Sequence, residues 1–358
     1  MGKRVLFLVN GLGLGNSTRC HAVIESLIDN KAEVTVATSG NGLWYFRDYL
    51  NFPRVIEIDE LHYGKKGERL SIAATFASLG TFYRVLNRNA EIISTALKNF
   101  SPDVAVTDSV YTFKPMRKFG VPIVSLNNAD VVYKSFFKFK GKPASIYPQF
   151  FLVELMDYLY HKKVADAVIS PTLDADLPGA AAKFHRVGPI VRASIKPVDS
   201  REDGAKVVIM LSGSTFSSKL RFKKKSYPMQ IDVVGRSKPD GEPDIPNVTY
   251  HGKIRNSPEI LQDADLLVIN GGFSAVSEGF VLKKPLLVIP VPNHAEQWIN
   301  ARIVEKLGVG MMATEDTFED IMFQALETLP KFSEAYCALP PAMGAAERAA
   351  DLILEAAG

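Results

Sequence analysis

The sequence predicts an α/β protein of two doubly wound domains in tandem, each a parallel sheet covered by helices on both faces. Three observations predict it. Short β-branched runs alternate with longer helical stretches, the alternation breaks at a polar stretch near residue 196, and it then restarts. A chain of 358 residues also exceeds the roughly 100–200 residues of a usual domain.

In the first half, KRVLFLVN, AEVTVATS, RVIEID, DVAVTDS, VPIVSLNN and VADAVIS read as buried strands, because both faces are apolar over the length of each run. Between the first two lies a helix candidate from Ser17 to Asp29, with Ala22, Val23, Ile24, Leu27 and Ile28 as its apolar stripe. After Gly188 to Val191 the text turns polar, which places a first domain at 1–195 and a linker at 196–205. KVVIMLSG, QIDVVG, VTYHG, LLVIN and PLLVIP then supply the strands of a second domain at 206–335. The remaining segment, 336–358, predicts a helix after a proline pair, one that caps the second domain or returns to the first. No short sequence repeat appears, which disfavours a solenoid.

Composition narrows the function. Hydrophobic residues make up 47% and charged residues 23%, an ordinary globular balance. Lys and Arg total 42 against 39 Asp and Glu, so the net charge of +3 gives no reason to expect a nucleic-acid partner. Cys20 and Cys337 are the only cysteines, which suggests neither a disulfide framework nor a zinc site. The opening MGKRVLFLVN lacks the longer apolar core of a signal peptide, and no run approaches the ~20 apolar residues of a membrane span. A cytoplasmic protein, with a membrane surface as a peripheral contact, fits these features.

Asn10 to Arg19, NGLGLGNSTR, follows the first strand. A dinucleotide fingerprint would need glycine where Asn16 stands and an acid where the second strand ends in Thr38 and Ser39. Gly11, Gly13 and Gly15 more plausibly let backbone approach a ligand at a strand-to-helix turn; a tight turn without ligand is the alternative.

The more informative stretch runs from Leu266 to Gly310. A strand ends at Asn270, Gly271 and Gly272 follow, and a helix begins near Ser274. Unpaired amides at such a helix start suit a diphosphate without a metal. Glu278 stands about 6 Å further along the axis, where a carboxylate can accept bonds from both hydroxyls of a ribose. Pro292 to Gln297 opens another helix, whose acid and amide groups suit a sugar; dipole complementation by Glu296 and a surface position for Asn300 are the structural alternatives.

GGFSAVSEG, PLLVIP and HAEQWINA resemble the donor-binding segment of glycosyltransferases of the GT-B fold, including the lipid-linked N-acetylglucosaminyl transferases of peptidoglycan synthesis and the family 1 enzymes. GLGLGNSTR, PDVAVTDS, the LSGS loop and HGKI extend the resemblance over both halves in the same order. It implies two Rossmann-like domains and a nucleotide-sugar substrate, with no cofactor and no essential metal. Gly272, Phe273 and Ser274, following Asn270 and Gly271, would meet the diphosphate, Glu278 the ribose, and Glu296 and Gln297, beside His294, the transferred sugar. Ser212, Gly213 and Ser214 would line the phosphate side, and Ile254 would present its backbone to the base.

Many relatives carry a histidine directly after the glycines, where this chain has Asn16, and some carry another before the phosphate-binding glycine, where it has Asn270 and Gly271. An amide cannot act as a general base at neutral pH. Candidates for that role are Asp108, at the end of a strand, with a helix N-cap or turn position as its alternative, then Asp130 in LNNAD, then His21, for which core packing is the competing reading. The DAD triplets at Asp174 to Asp176 and Asp263 to Asp265 read as caps or loop residues. Lys134 to Lys142 interleaves aromatics with lysines, which fits an anionic membrane surface or a lipid-linked acceptor, and equally an aromatic helix packed on the core.

Together these features predict transfer of a sugar from a nucleoside diphosphate, most often uridine, to an unidentified acceptor, with inversion implied by the resemblance alone. Two alternatives stay open: a nucleotide-sugar hydrolase, whose relatives share a glycine loop followed by Arg-Cys as at Arg19 and Cys20, and a nucleotide-sugar-binding or partner subunit without turnover.

Overall fold

The structure is a computed structural model that describes residues 2–60, 65–66, 69–70, 79–177, 181–197, 205–211, 222–241, 243–252 and 257–358. The chain forms two compact units: Met1–Tyr133 with Leu155–Arg192 and Gly344–Gly358, and Lys134–Glu154 with Ala193–Met343.

The first unit is built on seven parallel strands: β1 (Arg4–Val9), β2 (Glu33–Thr38), β3 (Val55–Glu57), β6 (Val104–Asp108), β7 (Ile123–Leu126), β8 (Ala167–Pro171) and β9 (Phe184–Val187). A short antiparallel pair, β4 (Lys65–Lys66) and β5 (Arg69–Leu70), lies between β3 and β6 in sequence. The sheet order is β3-β2-β1-β6-β7-β8-β9. Its centre explains the uninterrupted apolar run of β1. Val5, Phe7 and Val9 face one buried cluster, with the helices Leu14–Asp29 and Ala345–Ala356, while Leu6 and Leu8 face another, with Ile93 and Leu97. A strand between two helical layers has no polar face.

In the second unit, β10 (Lys206–Met210), β11 (Gln230–Val234), β12 (Val248–Gly252), β13 (Leu266–Ile269), β14 (Leu286–Val288) and β15 (Gly310–Met312) form a parallel sheet ordered β12-β11-β10-β13-β14-β15. Strand order reverses beside β1 in the first sheet and beside β10 in the second. Such switch points open a crevice at the carboxyl ends of the strands.

The structure adds β9 and β15, two edge strands that the sequence reading missed. Both are short and only partly buried, so neither carries the apolar run that marks a central strand. The first helix starts at Leu14 rather than Ser17, with the extended Gly13 as its cap.

The division of the chain also differs from a single cut at 196–205. Residues 134–154 pack with the second unit. Phe136 stacks on Phe150 at 3.5 Å, Phe139 lies edge-on to Trp298 at 6.4 Å, and Gln149 Oε1 accepts from Ala295 N at 2.9 Å. The helix Ala345–Ala356 buries Ala349, Ala350 and Ile353 against the first helix and its sheet, so it belongs to the first unit. Both DAD triplets sit at turns: Asp174 Oδ1 accepts from Asp176 N at 3.2 Å, and Asp265 Oδ2 from Lys206 N at 2.8 Å.

His21 packs in the core of the first unit, its Nδ1 3.0 Å from Tyr45 Oη. Burial lowers its imidazole from 6.5 to about 4, and the Arg192 guanidinium adds to the effect. The unfolded chain therefore takes up a proton that the folded one refuses. This contribution to stability is complete above pH 6.5 and is lost as pH falls toward 4, by about 3 kcal/mol in total. His21→Gln keeps a partner for Tyr45, so its urea midpoint should fall less between pH 7 and pH 4.5 than that of the parent. Parallel pH profiles would show that His21 takes up its proton equally in the folded and unfolded chain.

Candidate active site

In the second unit, β13 delivers the chain into the glycines. Asn270 is buried and its Nδ2 donates to Ile289 O at 3.0 Å, tying the end of β13 to the segment after β14. The side chain at this position therefore anchors the turn. A Cβ on Gly271 would lie 2.4 Å from Gln297 O, so only glycine permits this approach of the turn to the helix Ala295–Lys306. From the same helix Asn300 Nδ2 donates to Gly271 O at 2.8 Å. Asn300 is 2% exposed, which excludes the surface position weighed for it.

Gly272 caps the helix Phe273–Val281 in an extended conformation, and as a glycine it brings no capping side chain of its own. The amides of its first turn have no intrahelical acceptor, and with the helix dipole they favour an anion. Phe273 is buried, Ser274 is half-buried, and Glu278 is buried one turn deeper. The neighbouring helix starts after His294, whose N–H donates to Val291 O at 3.2 Å. Burial lowers the His294 imidazole, against the pull of Glu296. Gln297 Oε1 accepts from Val291 N at 2.9 Å and so holds the preceding loop, while Glu296 is half-buried. Thus segments 270–278 and 294–300 share one backbone contact.

Ser212, Gly213, Ser214 and Ile254 lie outside the described residues. Close to them in sequence, Ile209, Leu211, Phe222, Val233, Arg236 and Tyr250 line part of a small open cavity at the carboxyl ends of β10 to β12. Motif reading did not find this cavity, because its walls are ordinary strand and loop residues.

In the first unit, Gly11 passes so close to β2 that a Cβ would stand 1.7 Å from Ser39 O. Asn10 organises the turn: its Nδ2 donates to Ser109 O at 3.0 Å and its Oδ1 accepts from Leu12 N at 2.9 Å. Gly15 and Asn16 belong to the first helical turn, and Asn16 Oδ1 is 3.5 Å from Arg19 Nη2. Asp108 is fully buried and grips Arg19, with Nη2 2.7 and 2.8 Å from its two oxygens. Asp130 is 2% exposed and pairs with Arg186 at 2.8 Å. Neither candidate base faces solvent. Sequence could not show these pairings, since Arg19 and Asp108 are 89 positions apart.

A shallow cleft, open to solvent, lies at the carboxyl ends of β1, β2, β3 and β6, lined by Asn10, Ser39, Ile58, Asp59, Asn89, Ser109 and Val110. Asp59 was not singled out, although it ends a run read as a strand, where ligands of such sheets bind. Its side chain is 33% exposed, and its charged neighbour Arg88, 3.4 Å away, is itself exposed.

Comparison with known proteins identifies the family and the fold. Residues 3–330 match the profile of the family described as glycosyl transferase family 1. An uncharacterized glycosyltransferase of Methanosarcina mazei is 24% identical over 353 residues, covering 90% of this chain and 89% of its own. A UDP-N-acetylglucosamine–N-acetylmuramyl-(pentapeptide) pyrophosphoryl-undecaprenol N-acetylglucosamine transferase of Geobacillus kaustophilus is 28% identical over 167 residues, covering 40% of this chain and 46% of its own. Among solved structures, MurG of Acinetobacter baumannii superposes with a TM-score of 0.62 at 14% identity, covering 99% of each chain. The calicheamicin glycosyltransferase CalG4 gives a TM-score of 0.67 at 18% identity, covering 99% of this chain and 98% of its own.

Proposed function

The chain belongs to glycosyl transferase family 1, and from that premise we propose that its donor is a nucleoside diphosphate sugar, with uridine as the base. It is a glycosyltransferase of the two-domain GT-B fold. The observation that carries the donor reading is the helix start at the extended Gly272, with Glu278 buried in the same helix and Gly271 locked against Gln297. On this reading the first-turn amides of Phe273 and Ser274 stabilise the departing diphosphate, so that step needs no metal. Glu278 accepts from the ribose hydroxyls, and Glu296 with Gln297 Nε2 meets the transferred sugar.

The acceptor hydroxyl is assigned to the polar cleft of the first unit. Asp59 there offers a partly exposed carboxylate as proton acceptor, whereas Asp108 and Asp130 are enclosed by arginines. Asn16 would orient the acceptor. Direct attack by that hydroxyl inverts the sugar. A lipid-linked acceptor at the inner face of a membrane, met by a cytoplasmic protein at its periphery, is supported by Phe137, Tyr147, Phe151 and Leu152, all exposed beside Lys138 and Lys140. Among the described residues no helix is long and apolar enough to cross a membrane.

Thermal unfolding with UDP, GDP, TDP and their sugar conjugates tests the donor. At ~100 times its dissociation constant UDP should add about 2.7 kcal/mol of stability, and Glu278→Ala should remove that gain. Stabilisation by no nucleotide, or an equal gain in the variant, would overturn the assignment.

A further inference from the structure

Glu154 closes the segment 134–154, and His294 and Glu296 flank the first residue of the helix Ala295–Lys306. All three lie in the second unit, and each offers a ligand atom within 4.8 Å of the other two. We propose that Glu154, His294 and Glu296 bind a first-row divalent cation, of which Zn²⁺ and Mn²⁺ are the representative ions.

The donor set selects this class. One imidazole and two carboxylates suit Mn²⁺ through Zn²⁺, whereas Mg²⁺ and Ca²⁺ prefer oxygen alone. Ligand atoms around a four-coordinate zinc stand about 3.4 Å apart, so the side-chain ends need to draw in by roughly an ångström. Glu296 is half-buried on the helix's first turn.

The arrangement also fixes its buried carboxylate. Gln149 Nε2 donates to Glu154 Oε1 at 2.6 Å, and Gln149 Oε1 accepts from Ala295 N at 2.9 Å. One amide therefore ties Glu154 to the residue between the other two ligands. Metal-binding side chains are commonly oriented by such an outer hydrogen bond. Glu154 is only 7% exposed, so this carboxylate is held in place beside the other two side chains. Three protein ligands leave a coordination position for water or another oxygen.

A different cluster shows the contrast. Ser125, His161 and Asp157 form a hydroxyl–imidazole–carboxylate chain, with Ser125 Oγ 2.7 Å from His161 Nδ1, but Ser125 and His161 are buried within the first unit and closed to a ligand. Glu296 and His294 instead remain half-buried at a helix start. The cation joins the segment before residue 155 to the loop before Ala295. The diphosphate step assigned to the helix after Gly272 does not depend on it.

The test uses the full chain, stripped with a chelator and titrated with Zn²⁺ alone and then Mn²⁺ alone, bound ion being counted by equilibrium dialysis and elemental analysis. The expected result is one equivalent per chain, with affinity at least tenfold weaker in His294→Gln and in Glu154→Gln. Glu296→Gln, at a more exposed position, serves if a buried change impairs folding. Gln149→Ala should weaken binding by about tenfold, through loss of orientation rather than of a ligand. Failure to bind either ion, or equal binding by parent and ligand variants, would overturn the proposal. Because no nucleotide is present, failure to bind an ion leaves the donor reading, tested by UDP stabilisation, where it stands.

Discussion

Asp108→Asn unfolds at a clearly lower urea concentration than the parent, with about 3–5 kcal/mol of stability lost. Arg19 and Asp108 are 6% and 0% exposed, and three contacts of 2.7 to 3.1 Å join the guanidinium to the carboxylate. Cys20 reinforces the carboxylate, its thiol donating to Oδ2 at 3.3 Å. Burial holds that thiol well above its ordinary value, and Asp108 adds to the rise, so Cys20 remains a donor. An isosteric amide leaves the guanidinium buried without its counter-charge. Replacing both partners, as in Arg19→Met with Asp108→Leu, should cost less than the single change. A loss under about 1 kcal/mol in Asp108→Asn, measured by urea unfolding, would mean that this pair does not hold the first unit together. The same variant also separates two roles: a general base would lose activity while keeping full stability.

Gly271→Ala should lose stability and donor binding together, about 2–3 kcal/mol of the former and at least tenfold in affinity for UDP. The added carbon would meet Gln297 O at 2.4 Å and Gln297 C and Cα at 2.9 Å, all backbone atoms that cannot swing aside. The turn must move, and the first-turn amides after Gly272 move with it. Gly272→Ala is the control. Its Cβ would meet nothing within 4 Å and its φ is −63°, so unfolding should shift by less than about 1 kcal/mol. Equal stability in both variants, followed by thermal unfolding with and without UDP, would show that the close approach is not needed.

Central strands could be read from the sequence because burial on both faces leaves only apolar positions, as in β1, β6 and β13. Edges could not: β15 is three residues long and half of its side chains' environment is solvent. The segment proposed for the donor could be read as a motif because its spacing is local, Gly271, Gly272 and Glu278 lying in one strand–turn–helix. What sequence could not supply was pairing over distance. The Arg19–Asp108 contact recast a candidate base as a buried anchor, and the partnership of Glu154 with His294 and Glu296 spans some 140 positions. Asp59 was overlooked for a different reason. Its role comes from the cleft that four strand ends make together, which no single run of residues records.

The helix Ala345–Ala356 has a consequence for how the protein comes into being. It supplies Ala349, Ala350 and Ile353 to the same core as β1, across more than 300 positions. During synthesis, the whole of β10 to β15 emerges before that core can close. The second unit therefore reaches its complete contact set first, while the first waits with an apolar groove beside Val23 and Leu27. A nascent chain halted before residue 345 should be recognised by chaperones through its earliest-made half, the part that has had the longest time to fold.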